Sequence, residues 1–417
     1  MVQPFTHIRL RRDMRKPLVV FAGFVLAMMV FLHASAASSG CAAHTAGQVP
    51  VLTGAAQTGL YFPMLEGRRV AFAGNHTSLI GDVHMVDTLL ASGIHLVRVF
   101  SPEHGFRGTA AAGELVDSSK DPSTGLPIVS LYGRNRRPTP EQLEDVDVVL
   151  FDIQDVGARF YTYISTMTYV MQAAARQQIP VIILDRPNPL IHVVDGPVLE
   201  SAHASFVGLH PVPVVHGMTI GEYALMVNGE KWLGPSLSCD LTVIPVANYT
   251  RNTRYALPVP PSPNLPNMTS VYLYPSLCFF EGTAISLGRG TDKPFQVFGH
   301  PEFDSRHFTY TFRPQSLPAA PNPPQLGEAC HGRDLSGLPM EYLEDKSQIN
   351  LQYLLEAYRY FPDKPSFFNN YFENLSGNTL LRHQILAGLT EEQIRESWQD
   401  DLRRFRQLRE KYLLYPS

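Results

Sequence analysis

The sequence is poor in cysteine: four in 417 residues, none in a C-x-x-C or related spacing. A zinc site of the finger or ribbon type is therefore excluded. Cys239, Cys278 and Cys330 leave room for one disulfide in an oxidising compartment, but sequence does not choose the pair. The chain also lacks G-x-S-x-G, G-x-x-x-x-G-K and H-E-x-x-H. These absences remove the usual signs of a serine hydrolase, a phosphate-cradling loop and a zinc peptidase. Gly288-Arg289-Gly290-Thr291 is too short for a nucleotide fingerprint, and His76, His84, His104, His210 and His216 are scattered. Positive charge is not in excess either. The formal net charge is −4, and such a chain is a poor nucleic-acid binder.

Long apolar runs are lacking after the first residues. Leu18 to Leu32 is the longest, and it follows Arg9, Arg11, Arg12, Arg15 and Lys16 and precedes Ala34-Ser35-Ala36. This order reads as a secretory signal over residues 1–36, the alternative being an uncleaved anchor. Ser38-Ser39-Gly40-Cys41 resembles a lipid-attachment site, although Ser38 stands where an aliphatic residue is usual. The expected location is outside the cytoplasm, as a periplasmic or membrane-tethered protein. Residues 1–36 carry five Lys/Arg and one Asp, so the remainder carries about −8. Residues 37–55, rich in Ala, Ser and Gly, read as a flexible leader.

What is present is an alternation of short aliphatic runs and helical stretches. Arg69–Ala73, His95–Phe100, Val146–Phe151 and Pro180–Leu184 predict strands; Met85–Ser92 and Ile164–Gln177 predict helices. That pattern gives an α/β domain with a largely parallel sheet. Each strand ends in polar residues: Asn75-His76, Glu103-His104, Asp152 with Gln154 and Asp155, and Asp185-Arg186 with Asn188. In open parallel sheets the ligand cleft lies beyond the carboxyl ends of the strands, so four tips point to one site. The competing reading makes each a turn or cap residue. The prolines at 258, 260, 261, 263 and 266 form an irregular connector, with a domain boundary near 268. Residues 350–361 and 390–412 predict helices. Ile394, Trp398, Leu402 and Phe405 form a core-facing stripe in the second.

Two segments carry chemistry. In Ser101-Pro102-Glu103-His104-Gly105-Phe106-Arg107-Gly108, a carboxyl shielded by Phe106 suits a general acid, with His104 beside it. In Phe151-Asp152-Ile153-Gln154-Asp155-Val156-Gly157-Ala158-Arg159-Phe160-Tyr161-Thr162-Tyr163, tyrosines suit sugar faces and Arg159 suits a carboxylate. An internal ion pair from Arg159 to Asp152 or Asp155 is the alternative.

These segments, with Asn75-His76-Thr77-Ser78, Asp185-Arg186-Pro187-Asn188-Pro189, His216-Gly217-Met218-Thr219-Ile220-Gly221-Glu222, Ser262-Pro263-Asn264-Leu265-Pro266, Glu281-Gly282-Thr283, Gly288-Arg289-Gly290-Thr291 and Tyr412-Leu413-Leu414-Tyr415, resemble the NamZ-type exo-β-N-acetylmuramidases. The likeness runs from about Gly59 to the C-terminus. It implies a Rossmann-like N-terminal domain over 56–268 and a smaller α+β C-terminal domain over 269–417 that closes the cleft. It implies hydrolysis of a terminal β-1,4-linked N-acetylmuramic acid from peptidoglycan muropeptides or disaccharides, with no metal or organic cofactor. Glu103 matches the family's proposed catalytic glutamate. Asp155, Asp152 and Glu281, in that order, are the candidates for the second catalytic group. Arg159, Arg186 or Arg289 is expected to read the lactyl carboxylate. Asn75, His76, His104, Gln154, Tyr161, Tyr163, Asp185, Asn188 and Glu281 complete the expected substrate contacts. A sugar-binding protein without chemistry and a cell-wall amide or ester hydrolase remain the rival readings.

Overall fold

Runs of Val, Ile, Leu and Phe become strands buried on both faces. In a computed structural model, residues 49–103, 105–106, 119–133 and 135–417 are described. The strands in chain order are β1 (Val70–Gly74), β2 (Leu79–Ile80), β3 (Val83–His84), β4 (Leu96–Ser101), β5 (Ser119–Lys120), β6 (Pro127–Ser130), β7 (Val148–Asp152), β8 (Val181–Leu184) and β9 (Leu241–Ile244). β2 and β3 form a small hairpin, and the others form one sheet in the order β5-β6-β4-β1-β7-β8-β9. All neighbours in it are parallel except the edge pair β5–β6. Counting only the parallel strands, this is the 3-2-1-4-5-6 order of a Rossmann-type sheet. Its crossover reverses between β1 and β7, where such folds open a ligand crevice.

Side-chain alternation divides the core. Val70, Phe72, Val148, Leu150, Ile182 and Leu184 face helices α1 (Thr58–Leu65) and α2 (Met85–Ala91). Ala71, Ala73, Val149, Phe151, Val181 and Ile183 face the other way, toward α3 (Tyr163–Arg176) and α4 (Ile220–Gly229). That second cluster continues without a break into the C-terminal region, through Phe279, Phe298, Phe367 and Phe372 to Ile394, Trp398, Leu402 and Phe405.

The C-terminal region holds α5 (Met268–Leu277) and a three-stranded antiparallel sheet of β10 (Val297–His300), β11 (Tyr310–Phe312) and β12 (Cys330–Asp334). Six helices follow: α6 (Met340–Glu344), α7 (Gln352–Tyr360), α8 (Phe372–Ser376), α9 (Leu380–Leu386), α10 (Glu391–Glu396) and α11 (Gln399–Arg409). The helix expected over 390–412 is thus two, divided at Ser397–Trp398. The apolar stripe is buried as expected, Trp398 included.

The leader expected over 37–55 is corrected at its end. Leu52 bridges to Ala247, and Ala55 is fully buried. Gly54 donates its N–H to the Asp185 carbonyl at 2.8 Å. A Cβ at Gly54 would meet the Ile244 carbonyl oxygen at 2.3 Å, so only glycine admits this approach. Cys239, Cys278 and Cys330 are free and buried; Cys41 and the segment 1–36 lie outside the described residues. No described helix is long and apolar enough to cross a membrane.

Candidate active site

Beyond the carboxyl ends of β4, β6 and β7 lies a small cavity open to solvent. It is lined by Glu103, Phe160, Tyr161, Thr162, Tyr163, Ser262, Asn264, Leu265, Tyr274, Arg289 and Phe295. Glu103 follows β4. Its Oε2 accepts a hydrogen bond from the Thr162 hydroxyl at 3.1 Å, and its carboxyl also pairs with the Tyr132 hydroxyl. Thr162 occupies the position before α3 where a hydroxyl would ordinarily cap the helix; it makes no cap bond. Burial raises the phenols of Tyr132, Tyr161 and Tyr163, and the Glu103 charge adds to the rise. Each phenol therefore keeps its proton and is a hydrogen-bond donor.

Several expected site residues build this pocket from behind. Asn75 Nδ2 donates to the Tyr163 hydroxyl at 3.0 Å, and its Oδ1 accepts from Thr77. His76 Nε2 meets the Pro260 carbonyl at 2.9 Å, and the Tyr161 hydroxyl donates to the Pro261 carbonyl at 2.8 Å. These two bonds fasten the proline-rich connector, so that Ser262, Asn264 and Leu265 become a wall of the cavity. Burial lowers the His76 pKa and favours the neutral ring.

Arg289 enters from the C-terminal region over the Phe295 ring, 5.0 Å from its centroid. Its Nε and Nη2 donate to Glu281 Oε1 at 2.9 and 2.5 Å. Tyr371 stands near both, within electrostatic reach of Glu281 and Glu103.

Several other expected site residues are enclosed away from the cavity. Asp152 and Arg186 are sealed together, Nε to Oδ1 at 2.5 Å and Nη2 to Oδ2 at 2.8 Å, with Asp152 fully buried. Arg159 is also fully buried. It pairs with neither aspartate and donates instead to the carbonyls of Pro197, Val212 and Leu375 at 2.9, 2.9 and 2.6 Å. Asp155 caps the turn by accepting from Gly157 N at 2.7 Å. Burial pushes its carboxyl up to about 7. It lies within electrostatic reach of Tyr161 and Tyr163 but does not line the cavity, with neutral His216 4.0 Å away.

Gln154 donates to the carbonyls of Asp155 and Pro187, and Asn188 to that of Met218. Asp185 accepts from Thr219, Gly221 N, Arg186 N and the Tyr415 hydroxyl. Buried polar groups are mostly hydrogen-bonded, and Gln154, Asn188 and Asp185 use their amides and charge to satisfy their neighbours and the backbone. Asp155 Oδ1 and Arg159 Nε, by contrast, are buried without a partner among the described residues. Phe106 packs edge-on against His84 in the core and does not line the pocket. His104 and Arg107 lie outside the described residues.

Tyr132, Tyr274, Phe295 and Tyr371 were not singled out from sequence, and Thr162, Ser262 and Asn264 were named only within longer motifs. Tyr132 had a usable signal: it follows β6, whose Pro-Ile-Val-Ser run is a short buried strand ending on the same edge. Among the described residues no three His, Cys, Asp or Glu side chains gather as a metal ion would require.

Comparison with known proteins places this geometry. Residues 70–269 match the N-terminal domain model, and 272–415 the C-terminal domain model, of the exo-β-N-acetylmuramidase NamZ. The chain is 40% identical to the peptidoglycan β-N-acetylmuramidase NamZ of Bacillus subtilis (strain 168), over 96% of this chain and all of that protein. Two crystal structures of DUF1343 family proteins from Bacteroides fragilis NCTC 9343 superpose with TM-scores of 0.82 and 0.77, at 48% and 31% identity. Each covers 88% of this chain, and this chain covers all of each. The chain belongs to the NamZ exo-β-N-acetylmuramidase family.

Proposed function

We propose that this chain is an exo-acting glycoside hydrolase that releases β-1,4-linked N-acetylmuramic acid from the non-reducing ends of peptidoglycan fragments. The observation that carries the reading is Glu103, a carboxylic acid held by Thr162 and Tyr132 at a small, tyrosine-lined cavity. The relative from Bacillus subtilis, named for this activity, supports it.

Glu103 gives its proton to the glycosidic oxygen as the bond to the leaving sugar breaks. Glu103 is the one carboxylic acid among the described residues lining the cavity, and Glu281 is held by Arg289. This favours the substrate's own 2-acetamido group as the internal nucleophile. Its carbonyl oxygen bonds to the anomeric carbon, giving a cyclic oxazolinium ion. Water then attacks that carbon, the carbon–oxygen bond to the acetamido group breaks, and the water's proton returns to Glu103. The configuration is retained. Tyr163 supplies a donor, and the Tyr161 oxygen, whose proton goes to the Pro261 carbonyl, an acceptor for the acetamido and ring hydroxyl groups. Arg289 supplies a cation for the lactyl carboxylate.

Glu103→Gln on a chromogenic muramide tests the reading. Loss of about 100-fold or more in kcat is expected from a removed general acid. Full activity in the folded variant overturns the role. Incubation with the disaccharide is expected to release N-acetylmuramic acid; saturable binding with no product favours the sugar-binding rival, and released peptide or acyl groups the amide or ester hydrolase. A first-formed β-anomer supports acetamido participation. An α-anomer moves the second role to Glu281 and a water.

The same proposal sets the protein outside the cytoplasm, supported by the basic and apolar order of residues 1–36, with lipid on Cys41 as the tether. Labelled fatty acid is expected to enter the wild type and not Cys41→Ala.

A further inference from the structure

The loop after β6 runs from the pocket to a second feature. Tyr132, at its start, bonds Glu103; Arg136 and Arg137, four and five residues on, lie over two aromatic rings. The Arg136 guanidinium is 4.5 Å from the Phe206 centroid, and that of Arg137 is 4.8 Å from the Tyr169 centroid. The two rings stack on each other, 6.0 Å apart with an interplanar angle of 16°. Together with Gly133, Arg136, Arg137 and Tyr169 border a shallow open depression. Neither arginine forms an ion pair among the described residues, and Arg137 Nε is buried with no hydrogen-bond partner among them.

Two guanidinium groups seated over stacked rings, with no carboxylate paired to them among the described residues, are placed to receive one. Arginine on an aromatic face keeps its in-plane donors available and loses little freedom on binding. The depression is connected to the pocket in two ways. Arg136 lies close enough to Tyr132 for its charge to act on that phenol. Tyr169 lies on α3, which begins at the pocket residue Tyr163. The two tyrosines are six positions apart on the helix, about 9 Å along the axis. That is a reach of sugar rings rather than of one bond.

Resting on the proposed muramidase reading, we propose that Arg136 and Arg137 form a distal carboxylate subsite. It receives the acid group of the next muramic residue along the glycan, one disaccharide beyond the scissile bond. The group is either the bare lactyl carboxylate or a carboxylate of a peptide attached there. The neutral glucosamine ring bridges pocket and subsite, so fragments longer than a disaccharide gain an anchor that the disaccharide lacks.

The test compares kcat/KM for a disaccharide and a tetrasaccharide of alternating muramic acid and glucosamine, in wild type and in R136Q/R137Q. The ratio of the two substrates does not depend on the fraction of folded enzyme. The wild type is expected to favour the tetrasaccharide, and the double variant to lose about tenfold of that preference, as for a lost charged hydrogen bond. Higher salt is expected to lower the wild-type ratio more than that of the variant. A tetrasaccharide whose second lactyl group is an uncharged amide distinguishes the sources. Lost preference assigns the bare lactyl group; preference regained by attached peptide assigns the peptide. No wild-type preference, or an unchanged ratio in the variant, overturns the subsite and leaves the arginines as surface packing. Absence of product from either substrate in wild type would count against the muramidase reading alone. Tetrasaccharide affinity in an E103Q background, with and without R136Q/R137Q, then tests the subsite by itself: tenfold weaker binding supports it and equal binding overturns it.

Discussion

Arg289 commits its Nε hydrogen and one Nη2 hydrogen to Glu281, so its other Nη2 hydrogen and both on Nη1 are the donors left for a ligand in the pocket it lines. The other two arginines expected to read the lactyl group are enclosed by carbonyls or by Asp152. Among the described residues, the proposed discrimination of muramic acid from glucosamine therefore falls to Arg289. Arg289→Met is expected to lower the muramide-to-glucosaminide ratio of kcat/KM by about tenfold or more, as for a lost charge-assisted bond. An unchanged ratio would relieve Arg289 of that role.

Asp155 makes a different kind of prediction. Burial raises its carboxyl from 3.8 to about 7, so the native state holds a proton that the unfolded chain has released. The stability it contributes is complete below about pH 4, declines as pH rises toward 7 and is flat above that. Asp185 titrates in the same window and with the same sign. Asp155→Asn removes one of the two contributions. Its melting temperature is expected to fall less than that of the wild type between pH 5 and 8, by at least about 2 °C. Parallel melting curves across that range would show that Asp155 ionises as readily in the native state as in the unfolded chain.

At the scale of elements, the tip of β8 is closed by the chain's last residues. The Tyr415 hydroxyl donates to Asp185 and accepts from Val246 N at 2.8 Å. Leu414 N donates to Glu222, which is itself held by Arg251 at 2.8 Å. Glu222 also completes the capping box that starts α4. Tyr415→Phe leaves Val246 N and one Asp185 oxygen without that partner. The expected cost is about 1–3 kcal/mol in urea unfolding, with the muramide KM little changed because none of these groups lines the pocket. An unaltered midpoint would mean the C-terminal clasp is dispensable.

The same elements show what sequence discloses. β1, β4, β7 and β8 are legible because strands buried on both faces are continuous aliphatic runs. β9 is half-exposed and β12 reads Cys-His-Gly-Arg-Asp, so neither announces itself. The edge of the sheet that bears the site was legible for the same reason, and Glu103 stands on it. The partners of Asp152, Arg159 and Arg186 were not. A charged residue at a strand tip has the same letter whether it faces a ligand or a buried counter-charge. Only the packing of Leu375 and Pro197 around Arg159 decides between them.

On the scale of the whole molecule, one apolar cluster extends from the sheet face at Ala71 and Phe151 to Phe405 near the C-terminus. Arg159 reinforces this continuity, since its guanidinium reaches carbonyls on both sides of the proline-rich connector. The two family models meet near residue 270, yet the packing across that point is a shared core rather than a loose interface. Cooperative unfolding follows, because neither part retains its apolar surface covered when the other opens. The chain carries two tryptophans, and they report on the two parts separately: Trp232 packs beside His210 after α4, and Trp398 lies buried between α10 and α11. Single-tryptophan variants W232F and W398F are expected to show fluorescence transitions at the same multiple of their own circular-dichroism midpoints. If Trp398 instead signals an earlier transition than Trp232 in urea, the C-terminal helices open on their own. The wall that brings Arg289 to Glu103 would then be a separable element.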